Sequence, residues 1–294
     1  SEQNEAIESF PIISEPDLDN VLDALTLGIR DYVTKTGFST IVIGLSGGID
    51  SALTAYLAVR AMGPKNVVGV TMPSKFSSKG SVDDSYELAR NLGIKCSTIN
   101  IENMVDGVMG TLTPSFEGKK PDFTEENIQA RLRGVTLMAL SNKHGHLLLT
   151  TGNKSELAIG YCTLYGDMCG ALNPIGDLYK TQVYQISNYI NAKEGISVIP
   201  ENTLTKAPSA ELRLDQKDQD TLPEYDMLDA VLNSFIVENK TLDVIIKRGY
   251  DKQVVSWIYN KVRQNEYKRY QSPPILKVSK KAFGIGRRMP IAAR

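Results

Sequence analysis

The stretch TIVIGLSGGIDS, Thr40 to Ser51, decides the fold. Its first half, Thr40 to Leu45, is a β-branched apolar run of strand length. Its second half breaks at Ser46-Gly47-Gly48, and Ser51 to Met62 then reads as a helix. A buried strand that bends through glycine into a helix opens a parallel α/β layer. The bend also has a chemistry of its own. Glycines let backbone N–H groups approach an anion without a Cβ in the way, and the free amides of the helix start add partial positive charge. Gly44, Leu45, Ser46, Gly47, Gly48, Ile49, Asp50 and Ser51 are therefore read as one phosphate-handling loop, with Ser46 and Ser51 as hydroxyl donors. A carboxylate beside phosphate repels it unless a cation intervenes, so Asp50 calls for Mg²⁺ between them. No GxxxxGK[ST] is present, so this is not the loop that holds a γ-phosphate for transfer.

Three readings of the loop compete. The plainest is a Gly-Gly turn with Asp50 as an ordinary first-turn helix residue. The segment also satisfies G-x-S-x-G, the nucleophile elbow of α/β-hydrolases, with Ser46 as nucleophile. That fold needs an acid and then a histidine after the serine. Only His144 and His146 are available, and they lie immediately before the fourth strand rather than on a late loop. The third reading is the SGGxDS signature of the pyrophosphatase-type ATP enzymes, whose loop grips the β,γ-pyrophosphate that leaves as an adenylate forms.

Outward from the loop, Asp17 to Lys35 carries apolar residues at helical spacing and ends at Gly37. Val67 to Met72 and Lys95 to Ile101 repeat the strand signature. Between them lies a helix to Asn91, opened by a capping box on Ser81 and Asp84 and closed by Gly93. Thr124 to Lys143 reads as a long helix, His146 to Thr150 as a fourth strand, and Asn153 to Ile159 as another helix start. The alternation predicts an α/β fold, a doubly wound parallel sheet of Rossmann-like kind, with additional C-terminal helices over Thr181 to Ala192 and Glu224 to Lys261. Ligands of such sheets sit beyond the carboxyl ends of the strands, so Ser46, Pro73 and Thr151 are expected to converge. Pro73 to Gly80 and Thr203 to Leu222 read as mobile loops. Residues 1–16, polar and broken by proline, are expected to be a linker or tail of something longer, and 17–294 one domain.

Composition narrows the classes. Thirty-three Lys and Arg against thirty-four Asp and Glu leave a net charge of −1, without the basic excess of a dedicated nucleic-acid binder. No apolar run approaches the roughly 20 residues of a membrane span, and no secretory signal pattern is visible. Cys96, Cys162 and Cys169 lack CxxC spacing, which argues against a disulfide framework or zinc site and fits a reducing cytoplasmic setting.

Further constellations follow the fourth strand. In Thr150 to Glu156, TTGNKSE, the Thr151 hydroxyl is placed to bond a nucleotide. Glu156 is a second candidate Mg²⁺ carboxylate opposite Asp50, and the ordinary alternative is a capped helix start. Gly160 to Pro174, glycine-rich and aromatic, reads as a lining for a flat ring, with Tyr161 or Tyr165 stacking and Asp167 hydrogen-bonding, or else as a surface Ω-loop. Arg131 and Arg133 on the long helix have a solvated face as their ordinary reading. Lys206 to Leu212 forms a candidate lid carrying Ser209. Phe283 to Arg288 imitates half of a dinucleotide fingerprint without its strand-to-helix context. His144-Gly145-His146 reads as a helix C-cap rather than a metal site.

Taken in order, SGGIDS, EENIQAR, TTGNKSE, YGD, KAPSAEL and EYKR resemble NAD synthetases over roughly Asp17 to Pro290. EENIQAR, NKSEL and NEYKR look most like the synthetase domain of the glutamine-dependent type, within the pyrophosphatase-loop ATP enzymes of adenine nucleotide alpha hydrolase-like fold. The resemblance implies ATP-dependent amidation of deamido-NAD to NAD through an acyl-adenylate, with release of AMP and pyrophosphate and with ammonia, free or glutamine-derived, as nitrogen donor. It implies that Gly44 to Ser51 bind ATP with Asp50 on Mg²⁺, and that Thr151, Lys180 and Ser209 hold ATP. It further implies that Glu156 serves the metal and lies near the dinucleotide, and that Asn127, Arg131 and Lys268 contact deamido-NAD. A homodimer is implied as well, with Leu228–Ile236 or helix 125–143 as candidate contacts, and so is an N-terminal glutamine amidase domain in the parent protein. Two rivals stand beside this reading: another adenylating amidoligase, and a non-catalytic adenine-nucleotide-binding module.

Overall fold

A computed structural model describes residues 13–214, 216–284 and 286–291, so most of the expected tail, residues 1–12, lies outside the described residues. The chain runs α1 (Glu15–Lys35), β1 (Ile41–Gly44), α2 (Ile49–Met62), β2 (Val67–Thr71), α3 (Lys79–Leu92), β3 (Lys95–Thr98), α4 (Glu102–Leu112), α5 (Phe123–His144), β4 (Leu147–Leu148) and α6 (Lys154–Ile159). It continues through α7 (Lys180–Glu194), α8 (Glu201–Thr205), α9 (Tyr225–Ile236), α10 (Leu242–Lys247), α11 (Lys252–Gln264) and α12 (Glu266–Arg269). Among the described residues the four strands are all parallel, in the order β3-β2-β1-β4. Direction of travel therefore reverses between β1 and β4, which makes their carboxyl ends the natural crevice.

The pleat sorts the strand side chains onto two faces. Ile41, Ile43 and Leu147 join the core built with α1, α2, α3 and α7. Val42, Val70 and Leu148 join Ile101 and the partly buried residues of α4 and α5 on the opposite face. Both faces are covered, which is why the strands read as continuous apolar runs rather than alternating ones. A third cluster, from α6, α9, α10 and α11, stands beside the sheet.

Several expectations change in detail. α1 begins at Glu15, with Pro16 in its first turn. The cap of α3 is Ser78, whose Oγ accepts the Ser81 N–H at 3.1 Å. Asp84, expected as its box partner, is instead taken by Asn202 and Lys206. β4 is only two residues long; Leu149 beyond it still donates to the Val42 carbonyl at 3.2 Å and forms a parallel bridge with Leu172. The segment 203–222 is partly helical, carrying the end of α8 and a short turn at Asp218–Asp220. The apolar stretch Leu228–Ile236 is not free for a second copy, since Leu228, Val231, Leu232 and Ile236 are buried in the third cluster. Gly145 caps α5 in the left-handed conformation, as the His-Gly-His pattern predicts. No described helix is long and apolar enough to cross a membrane.

Candidate active site

Beyond the carboxyl ends of β1, β2 and β4 lies a cleft of about 670 Å³, and Ser46, Pro73 and Thr151 all line it. Its floor is the loop between β1 and α2. Gly47 adopts φ +75°, and a Cβ there would lie 2.4 Å from the Ser81 carbonyl oxygen, so only glycine fits. Gly48 has an ordinary extended φ of −84°, and its N–H donates to Ser46 Oγ at 3.2 Å. Gly44, Leu45, Ser46, Gly48, Ile49 and Asp50 line the cleft. Ser51 does not. It is buried beneath the loop, donates to the Gly48 carbonyl at 3.0 Å and lies 3.2 Å from Ser46 Oγ. Its hydroxyl braces the bend instead of facing an anion.

Asp50 and Glu156 meet across the crevice through two intermediaries. Asn153 caps α6 by accepting the Glu156 N–H at 3.0 Å, while Glu156 Oε2 accepts the Asn153 N–H at 3.3 Å. The same Asn153 donates through Nδ2 to Asp50 Oδ1 at 2.9 Å. Lys180, the first residue of α7, brings its Nζ to 2.5 Å from Asp50 Oδ2 and 3.5 Å from Glu156 Oε1. Its side chain is only 4% exposed, and those of both acids 17%. Burial alone would lower the Lys180 pKa, but the charges of Asp50 and Glu156 outweigh it and hold the ammonium well above its usual range. Burial, and then the Asp50 charge, push Glu156 up to about 8 against the lowering effect of Lys180. Lys180 thus serves the two acids directly in this structure.

The acids offer carboxylate oxygens, the donor type Mg²⁺ takes, and such ions are commonly held by one or two carboxylates plus substrate phosphates. Among the described residues no group of three or more His, Cys, Asp and Glu side chains forms a metal cage by itself. Asp50 and Glu156 would therefore suit a magnesium ion by donor type, with Lys180 reaching both of them in this structure.

The walls carry the other expected residues. Thr151, Asn127, Asp167, Lys268 and Ser209 line the cleft. Asn127 accepts from Thr163 Oγ1 at 2.8 Å, and Asp167 accepts the Thr163 N–H at 2.6 Å, which stitches the 160–174 loop to α5. Lys268 Nζ donates to the Gly160 and Cys162 carbonyls, each at 2.7 Å. The structure does not bring Arg131 or Tyr165 to this cleft. Arg131 is exposed and donates to the Leu164 carbonyl at 3.2 Å. Tyr165 is 65% exposed, and its hydroxyl donates to Gln271 at 2.7 Å. Of the two aromatic candidates, Tyr161 is the one on the cleft wall.

Asp218 is a site residue that sequence reading does not single out. Asp218 is buried, accepts from Tyr161 at 3.2 Å and Tyr225 at 2.8 Å, and has its pKa raised chiefly by burial. Arg133, expected on a solvated face, turns to the cleft and donates to the Met72 carbonyl at 3.1 Å; burial lowers its pKa to about 10. The two segments read as lids meet each other. Glu211 accepts from Ser78 Oγ at 2.9 Å and Ser81 Oγ at 2.7 Å, and Lys206 pairs with Asp84 at 2.8 Å. A signal for Asp218 existed in the tyrosines at 161 and 225, but their distance in sequence hid it.

Residues 21–272 match the family model described as NAD synthase. The glutamine-dependent NAD(+) synthetase of Thermotoga maritima is 51% identical over 271 residues, spanning 92% of this chain and 47% of the relative. Among solved structures, the glutamine-dependent NAD+ synthetase from Acinetobacter baumannii in complex with ADP is 43% identical with a TM-score of 0.65, covering 97% of this chain and 51% of that one. The NH3-dependent NAD synthetase from Campylobacter jejuni is 28% identical with a TM-score of 0.69, covering 86% of this chain and 96% of that one. The chain spans about half the length of the curated relatives it matches. A family match running through the phosphate loop, the paired acids and Lys180 leaves no room for the hydrolase reading, and the chain belongs to the NAD synthase family.

Proposed function

We propose that this chain amidates deamido-NAD to NAD at the expense of ATP, releasing AMP and pyrophosphate. The observation that carries the reading is the Asp50–Lys180–Glu156 cluster set beside the Gly47 bend in one cleft. A nicotinate carboxylate is a poor electrophile at neutral pH, being charged and lacking a leaving group. Its attack on the α-phosphorus of ATP removes both obstacles, because pyrophosphate leaves and the acyl group becomes a mixed anhydride with AMP. Ammonia then adds to the acyl carbon, AMP departs with the former carboxylate oxygen, and the nitrogen sheds a proton to solvent as the amide forms. No side-chain nucleophile is needed.

The chain's own part is electrostatic. The Ser46–Gly48 bend, whose Ser46 and Gly48 line the cleft, is assigned to the departing diphosphate, and Lys180 lines the same cleft as a fixed cation. Asp50 and Glu156 would hold Mg²⁺, which on binding supplies charge neutralisation between the anionic reactants. Thr151 and Ser209 on the cleft wall are assigned to ATP, and Asn127, Asp167 and Lys268 to deamido-NAD. The segments around Ser78 and Glu211 keep water from a hydrolysable intermediate.

A homodimer goes with this function. Val135 of α5 is 62% exposed, and α5 is the candidate contact for the second copy. On that arrangement Arg131 and Tyr165, outside this chain's cleft, would meet the dinucleotide near the subunit boundary. Ammonia is taken free in this chain, or from a glutamine amidase domain in the parent protein, and the setting is cytoplasmic.

Incubation with ATP, Mg²⁺, ammonia and deamido-NAD is expected to yield NAD, AMP and pyrophosphate in equal amounts, and Asp50→Ala to abolish all three with the fold intact. Pyrophosphate release only with some other carboxylate would make the chain a different adenylating ligase. Nucleotide binding without any release would make it a binding module. Unchanged turnover in Asp50→Ala would remove Asp50 from the site.

A further inference from the structure

We propose that Asp229, working through Ser155, is a positioning residue that sets Lys180 in the active site; the proposal rests on the function assigned above. α7 starts at Lys180, and within its first turn Gln182 Oε1 accepts the Tyr179 N–H at 3.0 Å. The next two amides are satisfied from other helices. The Lys180 N–H donates to Ser155 Oγ at 2.9 Å, and the Thr181 N–H donates to Asp229 Oδ2 at 2.9 Å. Thr181 Oγ1 donates to the same carboxylate oxygen at 2.9 Å, and Ser155 Oγ donates to Asp229 Oδ1 in a short hydrogen bond. Asp229 and Ser155 are both fully buried. One carboxylate on α9 therefore ties the start of α7 to α6.

The position of this knot gives it meaning. Ser155 directly precedes Glu156, and Lys180 is itself the residue whose backbone is held. The carboxylate and the ammonium that face each other across 3.5 Å thus grow from neighbouring points of one buried network. A serine or aspartate at position 179 would cap α7 locally and cheaply. Asp229 instead sits on a helix whose Leu228, Val231 and Leu232 are buried apolar residues, where a charged group is costly unless its hydrogen bonds are fixed. A local cap would satisfy the amides equally well, but it could not fix α7 relative to α6. Chemistry at the cleft depends on that relation, since displacement of a reacting or stabilising group by ~1 Å can cost about a hundred-fold in rate.

The test compares the wild-type chain with Asp229→Asn, Ser155→Ala and a control on the same helix, Leu232→Ala. Asp229→Asn and Ser155→Ala are expected to lower kcat for AMP formation about ten-fold or more while the KM for deamido-NAD stays within about two-fold. Their double variant should lose less than the product of the single losses, as expected for residues acting as one unit. Leu232→Ala should lower the melting temperature yet keep the kcat of the folded protein within about two-fold, separating positioning from general loosening of α9. Crystal structures of the two variants should show Lys180 Nζ withdrawn from the Asp50 carboxylate. Retention of wild-type kcat in both variants, or Lys180 still seated on Asp50 in their crystals, would overturn the proposal. A wild-type chain without turnover would refute the assigned function instead, and the crystal comparison alone would then decide the positioning role. Should Asp229→Asn fail to fold, Ser155→Ala carries the same comparison.

Discussion

Replacing Lys180 by methionine separates the electrostatic work of the site from its packing. The lysine side chain is 4% exposed, lies 2.5 Å from Asp50 and 3.5 Å from Glu156, and methionine is of comparable length without the charge. Removing one partner of a buried pair typically costs about 3–5 kcal/mol, because the remaining charge is left uncompensated. Here a proton can take over part of the compensation. Glu156 is already pushed up to about 8 by burial and by Asp50, and loss of the lowering influence of Lys180 raises it further. At pH 7 Glu156 is therefore mostly protonated in wild type and variant alike, the charge left without its partner is that of Asp50 alone, and the deficit falls at the lower end, about 3 kcal/mol. The sign above that pH follows from linkage. A carboxyl whose folded pKa exceeds its unfolded one contributes stability that is full below the unfolded value and is lost as pH rises through the folded value. Wild type levels off once Glu156 has ionised near 8, whereas the variant goes on losing up to about 1.4 kcal/mol per pH unit. Thermal melts at pH 7 and pH 9 should thus show a gap that widens with pH. In the amidation assay, loss of one preorganised charge is expected to cost about 10²–10³ in kcat. A gap independent of pH, or a kcat within about ten-fold of wild type, would show that Lys180 neither compensates these acids nor stabilises the reaction.

Other perturbations test separate parts. Gly47→Ala must force a Cβ to within 2.4 Å of the Ser81 carbonyl at φ +75°, so both thermal stability and ATP binding measured by calorimetry should fall, the former by about 1–3 kcal/mol. Glu211→Ala removes the acceptor of the Ser78 and Ser81 hydroxyls, and limited proteolysis near Lys206 and Arg213 should accelerate while the global melting temperature holds; an unchanged cleavage rate counts against the latch. Because Glu156 must give up its proton to bind a cation, Mg²⁺ titration in the presence of an ATP analogue should release protons and tighten from pH 7 to about 8.5, an effect absent from Glu156→Gln. Asp229 is raised to about 6, chiefly by burial, so wild type should lose on the order of 3 kcal/mol relative to Asp229→Asn as pH climbs from about 4 to 6, with no further divergence above; parallel urea unfolding curves across that window would contradict it.

Those residues also mark where sequence reading succeeds and where it stops. The strand, bend and helix over Thr40 to Met62 were legible because each signal is local: β-branched residues, two glycines, then helical spacing. The paired acids were legible because both follow strands whose carboxyl ends must adjoin. α4 was missed. Met104, Val105, Val108, Met109 and Leu112 stand at helical spacing, but Gly107 and Gly110 break the run and lower its helix propensity. Ser81-x-x-Asp84 imitated a capping box, while the true cap lay three residues earlier and Asp84 was spent on the lid. Lys154 sits inside the TTGNKSE motif, yet it is buried against Asp177, 23 positions on, and against Ser279 and the Lys281 carbonyl, 125 and 127 positions away. Asp218 and Asp229 belong to segments whose composition reads as lid and as amphipathic helix, and only tertiary packing turns them inward.

The buried charges have a common logic. Lys154, Asp177, Lys180 and Asp229 all lie at or near the starts of α6 and α7, each almost wholly withdrawn from solvent. As contributions to stability they are poor choices, since well-packed apolar residues of similar volume often serve as well or better. As constraints they are specific. Lys154 fixes α6 to the chain at 279–281, Asn153 fixes it to Asp50, Ser155 and Asp229 fix it to α7, and Lys180 closes the ring back onto Asp50 and Glu156. Such a ring allows little slack at any single point, because each member's partners are themselves held. A site that must bring a carboxylate, a triphosphate and a metal ion into one arrangement needs its fixed charges in place before the ligands arrive. On this account the stability forgone at α6 and α7 is the source of the order at the cleft, and variants that replace a whole buried charged pair there, such as Lys154 with Asp177, by apolar residues of similar volume should hold or gain stability while they lose turnover.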